Sequence, residues 1–275
     1  MNIINNYRVA RSSWLVTSAC LLTLAPVAGA LAAAGDDQPG SISLGVFVTD
    51  RDTKTRIDAS TGETGSNVSL EGDLGLASSD SVFRIDGYFK FNDRHRIDVS
   101  WFDLSRSKQK QIDTEIIWNG TVYPINTVIR SNFDLAIYKA AYTWSFLRRD
   151  KGFLGASAGL YVADFKTTLS ATDIGQRDGG DGTAPLPVFG LRGEYGFSEK
   201  WSLRASGELF ALEYDNWTGT LVDIYAGIDY SLSEHVSLGV GYNAVTFNIG
   251  VSEQNFEGNV EWGYRGGLAF LKYDF

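Results

Sequence analysis

The last seven residues of the chain, Ala269-Phe270-Leu271-Lys272-Tyr273-Asp274-Phe275, alternate between two kinds of side chain. One face is apolar or aromatic throughout, whereas the other carries Lys272 and Asp274. Successive side chains of a β-strand point to opposite faces, so this pattern predicts a strand with one apolar and one polar face. Residues 201–211 and 222–230 alternate in the same way. Beyond the N-terminal segment no convincing helical stripe occurs, and we predict an all-β fold.

The composition of the chain agrees with this fold class. Its 275 residues include 30 Gly, 16 Phe, 13 Tyr and 7 Trp but only 5 Pro and 1 Met, a balance that suits pleated surfaces and tight bends. A single uninterrupted apolar run, near the N-terminus, excludes a bundle of membrane-spanning helices. Aromatic and aliphatic residues are abundant throughout, which excludes intrinsic disorder.

Residues 1–34 are predicted to be a cleaved secretory signal peptide. Arg8 and Arg11 form its positive region, residues 14–27 its apolar region, and residues 32–34 a small-residue cleavage site. A retained anchor helix is the alternative, but the apolar region is short for a membrane span. The only cysteine, Cys20, lies in this segment, so the domain at 35–275 cannot depend on disulfides. Loss of the two arginines takes the formal charge from -9 to -11, and no nucleic-acid partner is expected.

The spacing of the turns adds topology to the alternation. Four short connections, near residues 91–95, 146–151, 197–201 and 232–235, each follow an aromatic-rich run. The connections between them are longer and more polar. Short turns on one rim and long loops on the other are typical of an antiparallel up-and-down transmembrane β-barrel. We place the long, extracellular loops near 51–80, 106–132, 166–184, 215–219 and 249–258.

Four short turns, with one unpaired strand at each terminus, predict ten strands and place both termini on the short-turn rim. Eight strands is the alternative, with the first hairpin outside the barrel. The predicted strands lie near 41–50, 81–91, 95–105, 133–146, 152–165, 186–197, 200–214, 220–231, 235–248 and 260–275.

The second long loop contains a hairpin signal of its own. Asn119-Gly120 separates two short apolar runs, and both turn residues tolerate positive φ. We expect strands three and four to extend past the membrane into a protruding ribbon. Trp118 and Tyr123 are then either exposed contact residues or packed on neighbouring loops.

If the apolar faces point to lipid, the polar faces line the barrel interior. Charges in a narrow lumen are tolerable only when paired or hydrated, because a lone buried charge is costly. Equal numbers of the two signs favour a packed network of ion pairs over an ion-selective pore. The predicted inward charges are seven positive, Arg84, Lys90, Arg96, Lys139, Arg192, Arg204 and Lys272, and seven negative, Asp86, Asp98, Glu194, Glu208, Asp223, Asp229 and Asp274.

The signal peptide, the alternating aromatic-rich segments and the C-terminal Leu271-Lys272-Tyr273-Asp274-Phe275 resemble a Gram-negative outer-membrane β-barrel of the small OmpA or OmpW type. The resemblance implies export through the periplasm to the cell outer membrane and contact with its lipid and lipopolysaccharide. It also implies that Tyr273 and Phe275 are the signal read by the barrel-assembly machinery. It covers the mature chain as a pattern and matches no subfamily of known activity.

Catalytic motifs are weak. Residues 155–159 fit the nucleophile-elbow pattern around Ser157, but this pattern needs a following helix, and here it lies inside a predicted strand. A catalytic serine also needs a base, and the two histidines, His95 and His235, fall in short turns. No cofactor-binding or metal-binding motif is recognised.

We therefore expect a non-enzymatic outer-membrane barrel with a closed, charge-paired lumen and a structural or surface-interaction role. The alternatives are a narrow channel or carrier for small solutes, an outer-membrane enzyme and a soluble periplasmic β-protein. The sequence does not identify a surface ligand.

Overall fold

The computed structural model describes residues 38–58, 64–214, 217–253 and 256–275, so the predicted signal peptide and parts of three predicted loops lie outside it. Ten long strands form one closed antiparallel sheet in which the first and last strands pair. The prediction of a ten-stranded barrel is confirmed, and the eight-stranded alternative is wrong because the first hairpin belongs to the wall. No helix in the described part of the chain is long and apolar enough to cross a membrane. The strands are β1 Gly40–Ile57, β2 Val68–Ser69, β3 Ser79–Asn92, β4 His95–Gln111, β5 Ile116–Trp118, β6 Thr121–Tyr123, β7 Val128–Arg149, β8 Gly152–Ala171, β9 Gln176–Gly196, β10 Trp201–Tyr214, β11 Trp217–Ser231, β12 Val236–Glu253 and β13 Phe256–Asp274, of which β2, β5 and β6 lie outside the ring of ten.

The short turns and both described ends of the chain share one rim. The N–H of Gly40 donates to the carbonyl of Phe275 over 3.1 Å, and the N–H of Phe275 donates back over 3.0 Å. The terminal strand therefore closes the cylinder through β1, and the other five connections lie at the opposite rim. The predictions of long loops at 215–219 and 249–258 are wrong, because all the described residues of these two ranges belong to paired strands.

The outer face of the barrel carries an apolar band. On β7 the outward side chains from Ala136 to Phe146 are apolar or aromatic, and Tyr138 is 50% exposed. Ten residue steps of about 3.3 Å, tilted by about 40°, give a band about 25 Å tall, which is the height of the lipid-facing band of outer-membrane barrels. Aromatic rings cluster beside the short turns; the centroids of Trp201 and Tyr230, for example, lie 4.8 Å apart.

The strands extend beyond this band at the long-loop rim. β8 and β9 continue to Ala171 and Gln176 and are joined by the short 3₁₀ turn Thr172–Ile174, so most of the predicted loop at 166–184 is strand. β1 likewise extends to Ile57. The apolar alternation ends at the edge of the membrane, whereas the strands remain paired beyond it. The sequence pattern therefore marks the membrane band rather than the ends of the strands.

The Asn119-Gly120 hairpin is present, with φ values of 49° and 79°. β4 and β7 remain paired as far as Gln111 and Val128, as the ribbon prediction requires. However, β5 and β6 form a separate two-stranded sheet that packs inward. Trp118 and Tyr123 are 2% and 0% exposed, so they are packing residues rather than exposed contacts.

At two places in the ring, neighbouring strands separate toward the long-loop rim. β9 and β10 stop pairing above Phe189 and Leu209, although both strands continue. β3 and β4 stop pairing above Arg84 and Phe102. We call these places the β9–β10 seam and the β3–β4 seam.

Prolines explain the β9–β10 seam. The N–H of Gly196 donates to Lys151 on the β8 side, so the odd-numbered residues of β9 direct their nitrogens toward β10. Pro185 and Pro187 occupy two of these positions and have no N–H to donate. The outer half of β9 consequently cannot hydrogen-bond normally to β10.

Candidate functional site in the barrel interior

The inward side chains near the short-turn rim form a network of ion pairs. Its centre is Lys139 on β7, whose Nζ lies 2.7 Å from Asp223 Oδ2 and also contacts Glu208. Arg192 joins the network because its Nη2 lies 3.0 Å from Glu208 Oε1 and its Nη1 3.4 Å from Asp98 Oδ1. Single buried charges from opposite sides of the wall thus neutralise one another across the lumen.

The network continues in both directions. Asp98 pairs with Arg96 at 2.8 Å, and Arg96 Nη1 lies 3.9 Å from Glu194. On the other side, Asn243 donates to Asp223 over 2.6 Å and accepts from Arg84 over 2.7 Å. Arg84 in turn pairs with Asp86 at 2.9 Å.

Nine of the fourteen predicted charges are therefore joined into one network, with Asn243 as a neutral link. Four more form two separate pairs: Arg204 with Asp229 at 2.6 Å and Lys272 with Asp274 at 3.2 Å. The Nζ of Lys90 lies 5.5 Å from the centroid of the Tyr88 ring. Sequence reasoning missed Asn243, and its only signal was a polar residue at an inward position of β12.

Next to the network lies a small polar cavity of about 70 Å³. Its lining includes Ser41, Tyr88 and Ser206 as well as several of the paired charges. A cavity of this size has room for several water molecules, since one water needs about 10–15 Å³ of such a cavity.

An apolar layer fills the lumen on the long-loop side of the charges. The rings of Phe47, Phe102 and Tyr264 meet edge to face, with centroids 5.4 to 5.9 Å apart. The Trp262 ring lies 4.8 Å from Tyr264, and the hydroxyls of Tyr264 and Tyr161 are 2.9 Å apart. The sequence prediction that charges line the lumen omitted this layer.

The signal for this layer was present in the sequence. Residues 44–48 and 161–163 are apolar on both strand faces, as expected where a strand is buried on both sides. A search for period-two alternation does not detect such positions, because both faces of the strand are apolar there.

Two segments cover the apolar layer at the outer end, and we call them together the cap: residues 64–78 and the β5–β6 hairpin. Leu70 and Leu74 of the first segment are each 2% exposed, and they share one core with Trp118 and Tyr123 of the second. Burial, followed by the nearby charge of Asp178, raises the pKa of Tyr123 to about 12. The cap thus covers the outer mouth, and its apolar side chains continue the hydrophobic core of the aromatic layer.

Buried polar contacts fasten the cap to the wall. Arg106 on β4 contacts Glu71 of the cap and donates to Thr53 Oγ1 over 3.1 Å. Glu71 also accepts from the N–H of Thr53 over 2.8 Å. Arg106 further donates to the carbonyl of Ala77 over 3.2 Å and covers the β3–β4 seam in doing so.

The residues considered for catalysis are separated. Ser157 points into the lumen, with its Oγ 3.5 Å from Glu208 Oε1. His95 contacts the Tyr142 hydroxyl and His235 lies 3.0 Å from the carbonyl of Asp274, both at the short-turn rim. Within the described residues, no group of three or more His, Cys, Asp or Glu side chains could hold a metal ion.

The predicted assembly residues lie on the outer face of the last strand. Tyr273 and Phe275 are 49% and 42% exposed. Their side chains point away from the lumen, on the face that carries the apolar band.

The fold is similar to that of solved outer-membrane proteins. The outer-membrane protease OmpT from Escherichia coli matches with a TM-score of 0.55 and 14% identity, over 86% of this chain and 97% of that one. Ail of Yersinia pestis (TM-score 0.34, 10% identity, 84% and 98% covered) and the Pseudomonas putida toluene transporter TodX (0.35, 11%, 87% and 91%) are more distant in structure. No protein-family profile and no curated protein sequence matches the chain.

Ten-strand closure, the apolar band and this likeness in fold define the chain as an outer-membrane β-barrel of the Gram-negative type. At this level of identity the likeness carries the fold and not the activity of any neighbour.

Proposed function

We propose that the protein is a non-enzymatic barrel with a closed lumen, whose role is structural or interactive at the cell surface. The observation that carries this proposal is that two different layers and a cap fill the lumen in succession. The ionic network joins β3, β4, β7, β9, β10, β11 and β12, the aromatic layer lies beyond it, and the cap covers the outer mouth.

A conducting path would have to cross all three barriers. Ion pairs such as Lys139 with Asp223 at 2.7 Å and Arg192 with Glu208 at 3.0 Å link strands across the lumen. The aromatic layer offers a permeating ion few polar partners, since the rings pack against one another and the hydroxyls of Tyr161 and Tyr264 lie within hydrogen-bond distance of each other. These features favour a closed barrel over the alternative of a narrow channel.

The positions of the candidate catalytic groups support a non-enzymatic role. Ser157 has a carboxylate rather than an imidazole beside it, and this carboxylate is already paired with Lys139 and Arg192. Both histidines lie at the rim opposite the long loops. Serine catalysis requires a base within hydrogen-bond reach.

The proposed partners follow from the outer surface. The apolar band and its aromatic rings suit outer-membrane lipid and lipopolysaccharide. The exposed Tyr273 and Phe275 of the closing strand suit recognition by the barrel-assembly machinery during insertion after export through the periplasm. The paired extensions of β8 and β9 beyond the band present a polar surface to the outside.

Recording in planar bilayers tests the closed lumen. The purified barrel should insert without steady conductance steps, whereas a general porin added to the same bilayer should give them. Insertion is verified by a shift in gel migration between unboiled and boiled protein recovered from vesicles. Reproducible steps from barrels that show this shift would replace the proposal with the channel alternative.

A further inference from the structure

Arg51, on β1 just beyond the apolar band, is buried beneath the cap without a carboxylate partner. It is 4% exposed. Its Nε donates to Thr49 Oγ1 over 2.7 Å, but neither Nη1 nor Nη2 has a hydrogen-bond partner among the described residues. A guanidinium group has five N–H donors, so four of them are buried and unsatisfied.

This arrangement differs from that of the other buried arginines in the described ranges. Arg84 and Arg96 each lie within 3 Å of a carboxylate, and Arg106 contacts Glu71. Buried polar groups in proteins almost always have a partner, and one that lacks it points to a missing water or ion.

The electrostatic surroundings of Arg51 favour an anion. Burial lowers the pKa of Arg51, and the positive charge of Arg106 lowers it further. Arg106 has an unsatisfied nitrogen of its own, Nε. Asp80 and Glu71 act in the opposite direction and raise the pKa of Arg51. However, Glu71 is already bonded to Arg106 and Thr53, and Asp80 is exposed, where its Oδ1 accepts from the N–H of Ser81 over 2.8 Å.

We propose that Arg51, assisted by Arg106, binds a compact oxyanion of the phosphate or sulfate class between the barrel wall and the cap. The two free Nη groups form the planar edge that pairs with two oxygens of such an anion. Because both nitrogens are shielded from solvent, the anion enters when residues 71–78 of the cap move away from β1. The site does not depend on whether the lumen conducts.

Thermal unfolding in detergent tests the proposal. Inorganic phosphate or sulfate is titrated at constant ionic strength, with sodium chloride as the balancing salt. Wild-type protein should show a saturable rise in Tm, since a ligand that binds only the folded state stabilises it. Arg51→Gln should bind at least about tenfold more weakly, because charge-assisted hydrogen bonds are lost.

Arg265→Gln is the matched control. Arg265 is 69% exposed at the same end of the barrel and pairs with Asp50 at 3.3 Å, so its loss should leave the phosphate effect unchanged. A phosphate effect that is absent from wild-type protein, or equal in wild type and Arg51→Gln, would overturn the proposal.

Two further measurements keep the test decisive. If Arg51→Gln does not fold, calorimetric titration of wild-type protein with phosphate replaces it: saturation at one phosphate per barrel supports the site, and absence of binding rejects it. Lipopolysaccharide micelles are added in a parallel series. If these micelles stabilise wild-type protein more than inorganic phosphate does, and Arg51→Gln loses this extra stabilisation, the preferred oxyanion is a lipid headgroup phosphate; stabilisation no greater than that by inorganic phosphate identifies a free anion.

Discussion

The ammonium group of Lys139 lies 2.7 Å from the carboxylate of Asp223, and it also contacts Glu208, so two buried acids share one lysine. Lys139→Met should destabilise the barrel by about 3–5 kcal/mol, the usual cost of leaving a buried charge without its partner. Urea unfolding in detergent micelles, followed by gel migration, measures the effect.

The exposed Lys54 provides a matched control. It pairs with Asp52 at 3.6 Å with both side chains more than half exposed, so Lys54→Met should change stability by less than about 1 kcal/mol. Equal losses for the two variants would show that the interior network does not contribute as described. Replacing Glu208 and Asp223 by their amides in the Lys139→Met background should restore part of the stability.

Loss of the Glu71 carboxylate should loosen the cap while the barrel stays folded. In Glu71→Gln the amide nitrogen faces the N–H of Thr53 or the Arg106 guanidinium, so at least one charge-assisted hydrogen bond, worth about 1.5–3 kcal/mol, is lost. Hydrogen exchange should accelerate across residues 66–78 and not in β12. Asp52→Asn, at an exposed ion pair, should leave both regions unchanged; acceleration across the whole barrel would instead indicate global destabilisation.

The orientation of the wall can be tested with single cysteines. Leu209 is 58% exposed on the outer face, whereas Ser206 points inward and lines the polar cavity. A fluorophore on Leu209→Cys should be quenched by lipids that carry a quencher in their acyl chains, and one on Ser206→Cys should not. The reverse result would mean that the strand faces are inverted.

The β9–β10 seam should narrow when its prolines are removed. Pro185→Ala with Pro187→Ala restores two N–H donors directed at β10, which can then pair with carbonyls beyond Leu209. Amide exchange of Ala211 and Glu213, whose N–H groups face β9, should slow in the double variant. Pro124→Ala, just after β6, serves as the control, and unchanged exchange of Ala211 and Glu213 would show that something other than proline keeps the seam apart.

The sequence predicts the strands of the barrel wall, but not which side chains contact one another inside the lumen. Alternation and turn spacing predict ten strands, and the Asn119-Gly120 dipeptide predicts the positive φ of Asn119, because each follows from local geometry. The partners of Lys139 depend on strand register, which period-two patterns do not specify. The burial of Trp118 depends on a loop folding back into the mouth, and no local pattern encodes that path.

Because of the two seams, the short-turn end and the long-loop end of the wall differ in strand pairing. At the short-turn end the hydrogen-bonded ring is continuous through all ten strands, while at the other end it is slit on either side of the group formed by β4, β7, β8 and β9. A barrel with two such seams is stiffer at the short-turn rim than at the long-loop rim. We expect mechanical or thermal stress to displace the long-loop ends of these four strands first. The closed ring of ten strands at the short-turn end would then persist after the long-loop end has opened.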